Sequence, residues 1–236
     1  MTDIGIPVEE SAAFVAHEQE LVHETGHASS LGLSNTKLAF WLFLGSECLL
    51  FGALISTYLL SVGNFVGQVV AGNPRVLATM PAEIMNEIAE KGSVNSFFDI
   101  PFTSASSFIL LMSSLTMVLA HKAVSEGNYR GTKIWLSATA LLGATFISGQ
   151  VYEFTVFYRE GLHYDGNLFG SAFYTLTGFH GAHVTIGILM LVALLIMAFK
   201  GKLQADRAET VEIIGLYWHF VDVVWVLIFT VVYLIP

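Results

Sequence analysis

The sequence predicts an all-α integral membrane protein: a bundle of five transmembrane helices, with its N-terminus cytoplasmic and its C-terminus outside. Three observations carry this. First, 54% of the 236 residues are apolar and 12% are charged, where soluble domains carry about 25% charged residues. The mean hydropathy is +0.66. Second, the apolar residues fall in five long runs, roughly 39–62, 103–121, 134–156, 172–199 and 213–235. Each run holds about 20 residues or more, enough to cross a hydrocarbon core of about 30 Å. Third, Lys37, Lys122, Arg130, Lys133, Lys200, Lys202 and Arg207 fall on one side of such a topology, and only Arg75, Lys91 and Arg159 on the other. The excess of basic residues in cytoplasmic loops fixes the orientation.

The spans must be helices, because lipid offers no partner to unpaired backbone groups, and the alternating polarity of barrel strands is absent. Ahead of the first span, residues 1–36 are polar and acidic, with Asp3, Glu9, Glu10, Glu18, Glu20 and Glu24. They read as a solvated cytoplasmic tail. They lack a basic stretch followed by an apolar one, so no cleavable leader is expected. His17, His23 and His27 are too loosely spaced to suggest a metal site. Residues 37–236 form the membrane domain. Its longest connection, 63–102, is an outer loop with Pro74, Pro81 and Pro101 and an amphipathic piece around Ala82–Lys91.

Composition also excludes several functions. The net charge of −9 comes with no basic patch, which argues against nucleic acid. A single cysteine, Cys48, excludes an intrachain disulfide, a thiolate zinc site and an iron–sulfur cluster. Lying inside an apolar run, Cys48 is expected to be a small buried hydrophobe. No nucleophile elbow, phosphate loop, dinucleotide fingerprint or HExxH motif occurs.

Ionisable residues within membrane helices are costly and mark functional candidates. Here they are Glu47, Glu153, His180, His183, His219 and Asp222. Counting about 1.5 Å per residue places Glu47, His183 and Asp222 at one level, with His219 a turn lower and His180 a turn higher. They are expected to face one another inside the bundle as one buried, proton-linked cluster. Glu47 is either a neutral, hydrogen-bonded acid or a proton-exchanging one. The histidines read as hydrogen-bonding partners rather than metal ligands. Gln150 and Glu153, one turn apart, make a second polar cluster nearer the outer side. Lys200 and Lys202 are placed to meet lipid headgroups at the inner surface.

Small residues repeat every four at Ala140, Ala144 and Ser148, at Gly178 and Ala182, and at Gly52 and Ser56, which predicts helix contacts. Ser107, Ser114 and His121 form a polar seam of period seven, read as structural. Trp41, Trp135, Tyr58, Tyr152, Phe157, Tyr158, Tyr217, Trp218 and Tyr233 lie towards helix ends and read as an interfacial belt, whereas Trp225 sits deeper, as a packing residue. From chemistry alone, two classes stand: a structural or proton-handling subunit of a larger complex, or an autonomous proton or solute carrier. A carrier needs a continuous polar path across the membrane. Only small and aromatic residues lie between the two polar levels, which favours the subunit.

Five blocks go further: FWLFLGSECLLFG around Glu47, SSLTMVLAHKAVSEGNYR, GQVYEF with Gln150 and Glu153, FYTLTGFHGAHVTIG with His180 and His183, and YWHFVDVVWVLIF with His219 and Asp222. Over residues 39–235 the chain resembles subunit III of the haem–copper oxidases of the cytochrome c oxidase type, in a five-helix bacterial form. The resemblance implies a chain with no redox cofactor of its own. Haem and copper would sit in partner subunits I and II. It implies packing against subunit I beside the proton entrance, bound phospholipid, and support of an enzyme that reduces oxygen and pumps protons from the bacterial plasma membrane. The resemblance also admits a larger respiratory assembly as a partner. Glu47 matches the family's carbodiimide-reactive glutamate, linked to proton uptake but dispensable for electron transfer. Better-known members have two further N-terminal helices and a lipid-filled cleft. Subunit III of a quinol oxidase is the alternative within the family.

Overall fold

A computed structural model describes residues 35–94, 98–203 and 207–235. The acidic tail through residue 34, with its three histidines, lies outside the described residues. The chain divides into two compact units, Met1–Ser46 and Glu47–Pro236. In the first, the described residues are the opening turns of a helix, where the Ser46 hydroxyl bonds back to the Phe43 carbonyl at 2.7 Å. The polar cluster lies wholly in the second unit.

The described elements are helical: α1 (Asn35–Val70), α2 (Pro74–Leu77), α3 (Ala82–Lys91), α4 (Ile100–Ser125), α5 (Tyr129–Arg159), α6 (Leu168–Phe199) and α7 (Ala208–Phe229), closed by a π-helical turn, Thr230–Leu234. Five of them are long and apolar enough to cross a membrane: α1, α4, α5, α6 and α7 with its terminal turn.

The helices outrun the apolar runs that predict them, and local chemistry explains why. Asp99 caps α4 by accepting from Phe102 N at 3.2 Å. Asn128 caps α5 through Gly131 N at 3.0 Å, and Asn167 caps α6 through Gly170 N at 2.7 Å. These polar caps satisfy otherwise orphaned amides just outside each hydrophobic stretch. Helix α1 continues eight residues past the predicted end at 62, because Asn64 and Gln68 bond to each other one turn apart and Phe65 and Val69 remain buried. It stops at Gly72, whose φ of +70° suits glycine. The connection beyond is therefore shorter than predicted and partly helical. In it, α3 occupies the predicted amphipathic piece, burying Met85 and Ile88 and exposing a Lys91–Glu87 ion pair at 2.5 Å.

Helices α4–α7 close a ring, with α4 against α5, α5 against α6, α6 against α7 and α7 back on α4. Trp218 of α7 fills its centre. A Cβ on Gly143 of α5 would lie 2.6 Å from the Trp218 ring, and one on Gly187 of α6 would lie 2.8 Å from it. The indole N–H of Trp218 donates to Ser113 Oγ at 3.0 Å, and that of Trp225 to Ser107 Oγ at 2.8 Å, tying α7 to α4.

Three sequence expectations change. Gly143 and Gly187 pack closest to Trp218, and of the predicted stripes Ala140 is buried. Of the predicted stripes, Gly52, Ser56, Ala144, Ser148 and Ala182 are exposed, and nothing stands within 4 Å of a Cβ built on Gly52 or Gly178. Cys48 is exposed rather than buried. Of the supposed interfacial belt, Tyr58, Phe157, Tyr217, Trp218 and Tyr233 are buried in the bundle. Spacing finds a face but not what covers it, and a ring whose polar tip finds a partner inside the bundle need not sit at the interface.

Candidate functional site

The structure ties Glu47 to His183. The Oε2 of Glu47 is 3.1 Å from His183 Nε2. The two side chains are only 15% and 14% exposed. The other ring nitrogen, Nδ1, lies 2.7 Å from the Phe179 carbonyl one turn back on α6. A carbonyl can only accept, so Nδ1 carries the hydrogen. The contact between Nε2 and Oε2 then holds one proton. Either a neutral Glu47 donates to a neutral imidazole, or an imidazolium donates to a carboxylate. Both forms have zero net charge, so either is less costly in the membrane than a lone ion. Phe51 packs edge-on to the imidazole at 5.1 Å, and the Tyr217 hydroxyl donates to the His183 carbonyl at 3.1 Å.

Asp222 is level with His183. Gly187 lies against Trp218 and His180 against Trp225, so α6 and α7 run antiparallel in a register that sets residue 183 beside residue 222. Yet Asp222, 5% exposed, meets a different helix. Ser114 of α4 faces its carboxyl, and the same hydroxyl lies 2.6 Å from His219 Nδ1. Asp222 Oδ1 has no hydrogen-bond partner among the described residues.

His180 stands apart from both. It is fully buried, stacked on Trp225 at 4.8 Å and flanked edge-on by Phe146 at 6.0 Å. Neither ring nitrogen has a hydrogen-bond partner among the described residues. The single cluster expected from depth is thus three settings: a Glu47–His183 pair, a His219–Ser114–Asp222 group and an aromatic cage around His180. The reason is angular. Residues three apart on a helix differ by about 60° in direction, so His180 and His183 meet different neighbours.

Gln150 and Glu153 also diverge. Glu153 Oε1 accepts from Thr103 of α4 at 2.6 Å, and Tyr233 faces the same carboxyl. Gln150 Nε2 donates to the Thr177 carbonyl of α6 at 2.9 Å, while its Oε1 overlies Gly181, where a Cβ would stand 2.8 Å away. One residue of this pair clamps α5 to α4, and the other clamps it to α6. Lys200 and Lys202 are exposed in the turn after α6, where Gly201 has a φ of +68°.

Sequence reasoning misses Thr103, Tyr233 and Tyr217 as partners. It sees Ser107, Ser114 and His121 only as a structural seam, yet that period of seven marks the side of α4 that meets the indoles and His219 of α7. Among the described residues, no group of three or more His, Cys, Asp or Glu could hold a metal ion. Around His180 the described contacts include the rings of Trp225 and Phe146.

A bundle of spanning helices with internal carboxyl–histidine contacts is a polytopic membrane protein. A family model described as cytochrome c oxidase subunit III matches residues 14–235. The chain is similar to cytochrome c oxidase subunit 3 of Bacillus sp. (strain PS3), at 37% identity over 92% of this chain and 96% of the relative. It is also similar to a probable quinol oxidase subunit 3 of Staphylococcus saprophyticus, at 33% over 94% and 97%. A third relative is the cytochrome bo(3) ubiquinol oxidase subunit 3 of Pseudomonas aeruginosa, at 34% over 93% and 94%. The chain belongs to the cytochrome c oxidase subunit III family and is a subunit III of a haem–copper oxidase. It is therefore a part of a membrane oxidoreductase complex.

Proposed function

We propose that this chain is the accessory subunit III of a proton-pumping cytochrome c oxidase of a bacterial plasma membrane, and that it supports proton uptake without redox chemistry of its own. It packs against subunit I, which with subunit II carries the haem and copper, and phospholipid binds at its surface, with Lys200 and Lys202 meeting headgroups. The observation that carries this reading is the Glu47–His183 contact, whose one proton can move along the bond at constant net charge. A site of that kind holds a proton ready for a neighbour while keeping α1 seated on α6. Asp222, His219 and His180 extend the buried polar set, and Gln150 and Glu153 hold the outer half of the bundle.

The donor reading leans on the 37% identity to the Bacillus sp. cytochrome c oxidase chain against 33% and 34% for the quinol types named above. Those quinol relatives keep a quinol donor as the second reading. Oxidase purified through this chain, assayed with reduced cytochrome c and with a quinol, separates the two.

Glu47→Gln tests the mechanism. The carboxamide still donates to His183 Nε2, so the contact survives without its transferable proton. Initial oxygen consumption should hold, while proton uptake slows and activity decays in fewer turnovers. If uptake and lifetime are unchanged, the proton role fails. If the complex does not assemble, Glu47 is structural.

A further inference from the structure

Between α4 and α7, near the end of α4 that bears Lys122, lies a crevice of about 180 Å³. His121 projects into it from α4, and Glu212 and His219 from α7. Gly215 forms part of its wall, and Val118, itself exposed, stands at its rim. Such a volume accommodates several waters, and three polar side chains give them partners.

The crevice ends on His219, whose Nδ1 is engaged by Ser114 at 2.6 Å, leaving Nε2 for the crevice. Beyond Ser114 is the buried carboxyl of Asp222, with Oδ1 unpartnered among the described residues. Among the described residues, Glu47 and His183 at that level pair with each other, and His180 is packed by Trp225 and Phe146.

We propose that the α4/α7 crevice is a proton-access route that ends at Asp222, running through His219 and Ser114 and separate from the Glu47–His183 pair. A proton from crevice water bonds to His219 Nε2. The Nδ1 hydrogen passes to Ser114 Oγ, and the hydroxyl hydrogen of Ser114 passes to the Asp222 carboxylate, which becomes a carboxylic acid. Reversal returns the proton, and no electrons are exchanged. This deepens the proton-handling reading, resting on it only in taking Asp222 as a proton holder.

Infrared spectroscopy of the intact oxidase in H₂O and D₂O tests the route. A carboxylic C=O band should be present in the wild type and in Glu47→Gln, absent in Asp222→Asn and displaced in Asp222→Glu, the last serving if Asp222→Asn does not assemble. On transfer to D₂O the band should shift. Val118→Phe, which fills the crevice from its rim, and Ser114→Ala, which breaks the relay, should each slow that shift at least tenfold. A band lost in Glu47→Gln, no band dependent on Asp222, or a wild-type exchange rate in either Val118→Phe or Ser114→Ala would each overturn the route. None of these outcomes bears on the turnover test of Glu47→Gln, so the two readings can fail separately.

Discussion

The α4–α7 ring and helix α1 are held by different means. In the ring, backbones approach until Trp218 fills the space left by two glycines, indoles bond serines, and Thr103, Gln150 and Glu153 bridge neighbouring helices. Helix α1 is longer than any of these, yet only 11% of its most apolar window is buried, against 28–44% for the others. From Glu47 onward its described attachments to the ring include aromatic ones, such as Phe65 stacked on Phe169 at 5.0 Å, and the polar contact to His183. In lipid, apolar surface alone gives helices little reason to associate, so packing and hydrogen bonds decide which pairs are tight. The ring has both, whereas the described attachments of α1 are the Glu47–His183 contact and a row of rings.

The largest effect that would test this contrast is in the ring. Gly187→Leu must displace Trp218 and should destabilise the protein by about 3 kcal/mol or more, seen as loss of assembled oxidase and a lower unfolding temperature. Tolerance of leucine there would refute the tight core. Trp225→Phe removes the indole donor to Ser107 but keeps a ring against His180, at a cost of about 1–2 kcal/mol by thermal unfolding.

On the α1 side, Glu47→Leu leaves His183 Nε2 without its partner and should cost about 1–3 kcal/mol, whereas Glu47→Gln should stay within about 1 kcal/mol of wild type. If both substitutions cost the same, the pair does not seat α1. Smallest of all, Gly52→Ala meets nothing within 4 Å and should change the stability of the isolated subunit by no more than about 1 kcal/mol, in the stabilising direction. A clear loss of assembled oxidase with no loss in the isolated subunit would show that a partner helix covers this face.

Much of this was legible in the residues. Run length and hydropathy specify the number of spanning helices, because a bilayer demands about 20 apolar residues per crossing. The cost of burying charge singles out Glu47, His183 and Asp222, and rise per residue sets them at one level. Rise is a one-dimensional measure, however. The sequence does not say that Asp222 turns to Ser114 while Glu47 reaches His183, nor that Tyr58 and Tyr233 point inward.

Element type, span and depth were therefore determined by the sequence, since they follow from the solvent each residue must enter and from 1.5 Å of rise per residue. The tertiary structure alone decided the partners. The Glu47–His183 contact depends on two helices far apart in the chain meeting at one angle, and on the Phe179 carbonyl occupying the other ring nitrogen. Gly143 and Gly187 gain their importance in the same way, from where Trp218 comes to rest.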